Sequence, residues 1–305
     1  MLLLSDLHLH STASDGQHAP EVLVDLAARA GMRVVALTDH DSIDGVAQAR
    51  DAARRQGMAF LPGAEMSTEG EREVDILGYG LDENSLRWRR FFAELQAERR
   101  ERILRIVALL QGMGYRLDVA QIDAMAARNP SRAHVARALV ASGAIGSLHQ
   151  AFERLLSPGR PAYVPRPLRT VGETARALRE AGAVPVLAHP GRLRMQEETL
   201  LAAVTAWQAQ GLMGLEAHHP AHTPTQARRY DAFARARGLL VTGGSDFHGC
   251  DVRPSRIGDG MAHWRDREAD VRALWARVPH TEGQLEQDTT AHPPLAAGEN
   301  RPHGR

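Results

Sequence analysis

Two histidines near the amino terminus, His8 and His10 in SDLHLH, open a series of nitrogen and oxygen donors that recurs along the chain. If that segment is a strand, side chains at i and i+2 share a face, and both imidazoles reach the same place. Asp15 follows in the small-residue loop STASDG, and Asp39, His40 and Asp41 follow RVVALT. Glu65 closes AFLPGAE, Asp75 lies in VDILGYG, His189 closes AVPVLAH, and Asp246 and His248 close LLVTGGSDFH. Imidazole and carboxylate without thiolate suit Mn²⁺, Zn²⁺ or Fe²⁺, and several carboxylates suit more than one ion. Two cations sharing a hydroxide make it a nucleophile near neutral pH and neutralise phosphate oxygens, so phosphate-ester hydrolysis is the natural chemistry, with amide hydrolysis open to the same site until anion anchors decide. One strand-end histidine is ordinarily a hydrogen-bonded structural residue. Four strand ends that each deliver His, Asp or Glu are not explained that way.

Other chemistry is excluded. Lysine is absent, so all 37 basic residues are arginine, and neither a Schiff-base lysine nor a P-loop lysine exists. The 37 acidic residues cancel them, so bulk charge does not drive nucleic-acid coating. With 43% hydrophobic and 24% charged residues the 305-residue chain reads as globular. One cysteine, Cys250, makes no internal disulfide, which fits a cytoplasmic protein, and it reads as a spectator near His248. The start, MLLLSDLHLH, is too short in apolar residues for a signal peptide or membrane span.

The elements that position the donors alternate. Strands LLLSDLHLH, RVVALTD, AFLPGAE and VDILGYG are interleaved with helices over 20–30 and 43–55, which predicts parallel βαβ units. Residues 84–157 hold only helical patterns, the clearest being WRRFFAELQAERRERILRIVALLQ, whose arginine-rich half reads as a solvated face. Alternation resumes from about 168 with helices over 174–181, 197–210 and 225–237 between strands AVPVLAH, MGLEAH and LLVTGGSD. The reading is an α/β domain in two parts, 1–83 and 166–278, interrupted by a helical insertion at 84–165. A Pro-, His- and Gly-rich tail, 279–305, is expected to be disordered. Trp88, Trp207, Trp264 and Trp275 read as packing residues.

HLHSTASDG, LTDHDSIDG, GAE, AHPGR and GSDFH, in that order, resemble the motifs of the polymerase-and-histidinol-phosphatase (PHP) family. The resemblance implies a distorted (β/α)₇ barrel with two or three divalent ions, Mn²⁺ first among them. By it, His8, His10, Glu65 and Asp246 hold one ion; Asp15, His40 and His248 hold another. Glu65, His189 and the position of Asp75 hold the third. Asp246, His189 and His248 are the implied catalytic groups. Asp75 stands where close relatives carry His, and is either a ligand or a solvated strand residue. S-R-x-H-x-A-R and P-G-R-P-x-Y-V resemble one branch, the 3′,5′-nucleotide bisphosphate phosphatases and RNase AM-type 5′→3′ exonucleases. In that branch the insertion is a lid, and Arg132, His134, Arg160 and, in AHHPAHTP, His222 map to substrate-phosphate contacts, with His218 and His219 as loop residues. Arg192 of AHPGR fits either a phosphate contact or a salt bridge. The expected partner is a nucleotide or short RNA, with no membrane. Competing readings are a histidinol-phosphate phosphatase and a non-catalytic metal-binding module.

Overall fold

A computed structural model describes residues 4–70, 74–126, 129–249 and 255–278. Cys250 and the segment 279–305 lie outside them. Seven strands stand in one sheet in chain order: β1 (Ser5–Asp6), β2 (Val34–Leu37), β3 (Ala59–Thr68), β4 (Val74–Tyr79), β5 (Val184–Leu187), β6 (Gly214–His218) and β7 (Leu240–Gly243). The residues after β1 and β7 draw the two edges together. Leu7 N–H donates to Gly243 O, Asp246 N–H to His8 O and His10 N–H to Phe247 O, so the sheet curls into a nearly closed barrel. Gly244 permits this approach, because a Cβ there would fall on His8.

Helices α1 (Pro20–Arg29) and α2 (Val46–Arg55) cross between the first three strands; α7 (Val171–Glu180), α8 (Glu197–Ala209) and α9 (Pro224–Ala236) cross between later ones. Their starts are written locally: Pro20 occupies the first turn of α1, and Thr170–Glu173 and Thr223–Gln226 form capping boxes on α7 and α9. A further helix, α10 (Arg267–Trp275), packs Val271, Leu274 and Trp275 into the core, an element with no counterpart in the sequence expectation. Trp88 and Trp264 are also core residues, and Trp207 packs against the core.

β4 corrects the parallel expectation. It pairs antiparallel with both β3 and β5. Only residues 69–73 separate β3 from β4, and a parallel crossover needs a dozen or more. The reversal matters for the site: Asp75, at the start of β4 and opposite Ser67, lies at the same rim as the carboxyl ends of β3 and β5.

Residues 86–162 form a helical layer on that rim. It contains α3 (Leu86–Gly112), α4 (Val119–Ala126), α5 (Arg132–Ala141), α6 (Leu148–Ala151) and one π turn, Phe152–Leu156. The buried apolar residues fall into two clusters, one in the barrel and one among these helices. α3 belongs to both: Trp88, Phe92 and Leu95 join the first, and Ile103, Ile106, Val107 and Leu110 join the second. Its arginine-rich face is only partly solvated. Gln96, Arg99 and Arg102 are buried, at spacings of three residues, because that strip of the helix faces the barrel rim. Among the described residues no helix is long and apolar enough to cross a membrane.

Candidate metal centre and cleft

The strand ends converge. His8 Nε2, His10 Nε2 and His40 Nδ1 lie 3.3, 3.3 and 3.1 Å from Glu65 Oε2, and His10 Nε2 lies 3.3 Å from Asp246 Oδ1. His248 Nε2 is 3.2 Å from Asp15 Oδ1. On the other side of the same carboxylate, His189 Nε2 is 2.7 Å from Glu65 Oε1 and 3.8 Å from Asp75 Oδ2. Three overlapping groups result, each with donor atoms within 4.8 Å of one another: His8–His10–Glu65–Asp246, His10–Asp15–His40–His248 and Glu65–Asp75–His189. His10 and Glu65 each belong to two.

The donors fit divalent ions. Atoms held about 2.1 Å from one cation in tetrahedral or octahedral array stand roughly 3.0–3.4 Å apart. The 3.1–3.3 Å separations around Glu65 Oε2 match this, while His189 departs from it at 2.7 Å from Glu65 and 3.8 Å from Asp75. His8 Nε2, both nitrogens of His10, Asp15 Oδ1, His40 Nδ1, Glu65 Oε2 and His248 Nε2 are buried and make no hydrogen bond, whereas buried polar atoms are ordinarily paired. Burial lowers His10 to about 4 and His40 and His189 to about 3, so all three are neutral near pH 7, the form that ligates. Burial presses the Glu65 carboxyl upward, but His40 and His8 outweigh it and hold it well below the carboxylate range.

Glu216, which sequence reasoning passed over, organises the first histidine. It accepts from His8 Nδ1 at 2.9 Å and from the His189 backbone N–H at 2.7 Å. Burial raises its carboxyl, yet His8 brings it down to about 2, so it is an acceptor and His8 Nδ1 is the donor. Nε2 is then the nitrogen left for a cation, the usual carboxylate–histidine–metal order. Against its own burial, His8 is raised to about 10 by Glu216 and Glu65, so without metal Nε2 carries a proton that a cation must displace. The signal was in the sequence: one acid inside the otherwise apolar strand MGLEAH.

His189 and Asp246 both adopt left-handed backbone, with φ 27° and 53°. Such residues cost of order 1–3 kcal/mol and persist where surroundings fix them. Glu216 fixes the first, and His248 Nδ1, donating to Asp246 O at 2.8 Å, helps fix the second. Asp246 Oδ1 faces the cluster, while Oδ2 accepts from Arg192 Nη1 at 2.8 Å and stands 3.3 Å from His219 Nε2. Arg192 therefore makes the salt bridge. His219, in the loop just after β6 as expected, is a neighbour of the centre, whereas His218 ends β6 itself, with its Nε2 2.9 Å from Asp231 Oδ2.

A cleft of about 560 Å³ opens over the centre, lined by Asp15, His40, Glu65, Asp75, His189 and His248 at its floor. Arg99, Arg102, Arg132, Arg166 and Arg192 line its walls. Arg132 and Arg102 both lie over the Tyr163 ring, at 5.7 and 5.5 Å. Arg99 and Arg166 converge on buried Asp41; burial would raise that carboxyl, but the two guanidinium groups hold it at about 2.

Three residues expected at substrate phosphates stand elsewhere. Arg160 is exposed in the turn after Ser157, outside the cleft lining. His134 is buried, its Nδ1 accepting from the Ser131 N–H in the box that caps α5. His222 donates from Nδ1 to Ala217 O and accepts the Gly191 N–H at Nε2, so both ring nitrogens are spent on holding the loop after His189.

A nearly closed seven-stranded barrel with a shared His/carboxylate centre at one rim, under a helical layer, defines a metal-dependent hydrolase barrel. The chain belongs to the PHP family: the PHP domain model matches residues 6–157. Over 280 residues, 90% of this chain and 95% of the relative, it is 34% identical to a 3′,5′-nucleoside bisphosphate phosphatase of Chromobacterium violaceum. It is 33% identical to a 5′-3′ exoribonuclease of Haemophilus influenzae, covering 80% of this chain and 89% of that one. A Bifidobacterium adolescentis structure described as a metal-dependent phosphoesterase matches with TM-score 0.80 at 31% identity, over 90% and 96% of the two chains.

Proposed function

We propose that this hydrolase of phosphoester bonds acts on 5′-phosphorylated nucleotides, either 3′,5′-bisphosphates or the ends of short RNA, with two or three divalent ions, Mn²⁺ foremost. The observation that carries the reading is the arginine-walled cleft set over the shared carboxylate Glu65. Its volume lies within the roughly 300–1,000 Å³ range of small-ligand sites, and guanidinium forks match phosphate oxygens. Divalent ions in such a centre acidify water and neutralise the phosphate oxygens.

The chain's own residues do the rest. His8, His10, Glu65 and Asp246 would hold one ion, Asp15, His40 and His248 a second, and Glu65, His189 and Asp75 a third. Asp246, steadied at Oδ2 by Arg192 and His219, is the group placed to take up a proton on its inner side. Arg132, braced on Tyr163, binds the substrate's second phosphate, and its insertion neighbours exclude water from the cleft.

The test is a phosphate-release screen with nucleotide 3′,5′-bisphosphates, 5′-phosphorylated oligoribonucleotides and histidinol phosphate, with metal content measured in parallel. Turnover of the first two classes with Mn²⁺, abolished by chelation, is expected. Preference for histidinol phosphate refutes the substrate assignment. Less than one ion per chain, with no binding or activity on adding Mn²⁺, refutes the metal centre.

A further inference from the structure

The candidate ligands are fixed from two different parts of the chain. His8, His189 and Asp246 are held from within the barrel: Glu216 binds His8 and the His189 backbone, and Asp6 Oδ1 accepts the Ser245 N–H at 2.9 Å beside Asp246. The loops that carry Asp15 and His40 also bond to the barrel, Gln17 N–H to His248 O and Asp41 N–H to Glu65 O, but they are held from the insertion in addition. Arg137, in α5, donates from Nη2 to the Asp15 carbonyl at 2.6 Å. Buried Asn129, two residues ahead of the Ser131 cap, donates from Nδ2 to the His40 carbonyl. From α3, Arg99 grips Asp41 and Gln96 reaches Asp44 at 3.0 Å. Asp39 does anchor the start of the 11–16 loop from the barrel, through Ser11 and Ser14, but its far end, at Asp15, is the end Arg137 holds.

The division follows the ligand groups. Asp15 and His40 share one group, with His10 and His248, and neither appears in the other two. We propose that Asn129 and Arg137 are positioning residues for one divalent ion alone, the one held by Asp15, His40 and His248. Each donates to a ligand's main-chain carbonyl. Seating of the insertion and occupancy of that ion then form one coupled equilibrium. By linkage, whatever factor the seated insertion adds to the ion's affinity, the ion returns to the seating. The other ions, framed by Glu216 and Asp6, stand outside the coupling. The inference rests on the metal assignment made above and is independent of the substrate.

The experiment is a Mn²⁺ titration of the full chain, read by the electron paramagnetic resonance of free Mn²⁺. It compares wild type with Asn129→Asp, Arg137→Ala, Asp15→Ala and the Arg137→Ala/Asp15→Ala double variant. Thermal unfolding without metal checks each fold, and Asn129→Asp keeps the side chain's shape while removing its donor. Outer partners of ligands typically weaken metal binding about 10- to 100-fold when removed. One class of sites is expected to weaken by that factor in Asn129→Asp and Arg137→Ala, the remainder being unchanged. Adding Arg137→Ala to Asp15→Ala should then change nothing further. In wild type, Mn²⁺ should also slow amide exchange along α5, and less so in the two variants. Equal weakening of every class, or variants that titrate like wild type, overturns the proposal. Wild type that binds less than one ion overturns instead the metal assignment beneath it.

Discussion

Replacing Glu216 by Gln tests how the barrel prepares its first ligand. The carboxylate is fully buried and accepts two hydrogen bonds, from His8 Nδ1 and the His189 N–H. Gln keeps the shape and one oxygen acceptor, but sets an N–H₂ group against one of the two donors. The expected loss is about one hydrogen bond to a charged acceptor, roughly 1.5–3 kcal/mol. If the strain falls on the ring of His8 rather than on the fold, metal affinity drops about 10- to 150-fold, near the span known for carboxylates behind ligating histidines. Competition for Mn²⁺ against a fluorescent chelator measures the affinity, and thermal unfolding in chelator measures the part spent on stability. Activity should return toward wild type as Mn²⁺ is raised, because the ligands themselves remain. A variant that keeps wild-type affinity, stability and turnover at limiting metal would show that Glu216 only fills space.

Arg132→Ala should lower kcat/KM about 10- to 150-fold on nucleotide bisphosphates, from a lost charged contact of about 1.5–3 kcal/mol, and little on a simple aryl phosphate. Arg160→Ala should leave both rates near wild type, and equal losses in the two variants would return Arg160 to the substrate. Asp246→Asn should reduce kcat by about 10²–10⁴-fold at saturating Mn²⁺ with the fold intact by circular dichroism; near-normal turnover would misplace the proton acceptor. Asp41, whose carboxyl is held at about 2 against a usual 3.8, adds stability that is full above about pH 5 and lost as pH falls through 2. Asp41→Asn should cost about 3–5 kcal/mol at neutral pH, by removing the carboxylate that Arg99 and Arg166 share, and should flatten the decline of urea stability between pH 4 and 2. An unchanged acid decline would dismiss the pair.

Strand ends were the legible part of the site. Donor types and two-residue spacing survive in the sequence because every candidate ligand but Asp15, which lies in the loop well past β1, sits on or just past a strand, so position along the chain becomes position at the rim. The direction of β4 was harder to see, since VDILGYG alternates identically whichever way it runs. The eight-residue gap between AFLPGAE and VDILGYG was the clue, being too short for a crossover. Arg99 and Arg102 were misread because a charge run on a long helix is usually wet, and only the tertiary placement of α3 against Asp41 and the cleft dries one strip of it. His134 and His222 illustrate the converse. Their residue type suited phosphate, and their hydrogen bonds to backbone atoms could not be read from type or spacing.

The long helix α3, about 40 Å from end to end, has a consequence for how this molecule can be taken apart. Trp88, Phe92 and Leu95 at its start belong to the barrel's interior, while Ile103 to Leu110 belong to the helical layer. A chimaera that exchanges lids between relatives cannot be spliced at the visible border. A junction before Trp88 strips three large side chains from the recipient barrel, and a junction past Leu95 must match the register of Arg99 on Asp41 to the incoming helix. The helical layer and the patch of barrel wall beneath it are therefore a single structural unit, and a layer grafted without that wall should arrive with a damaged host.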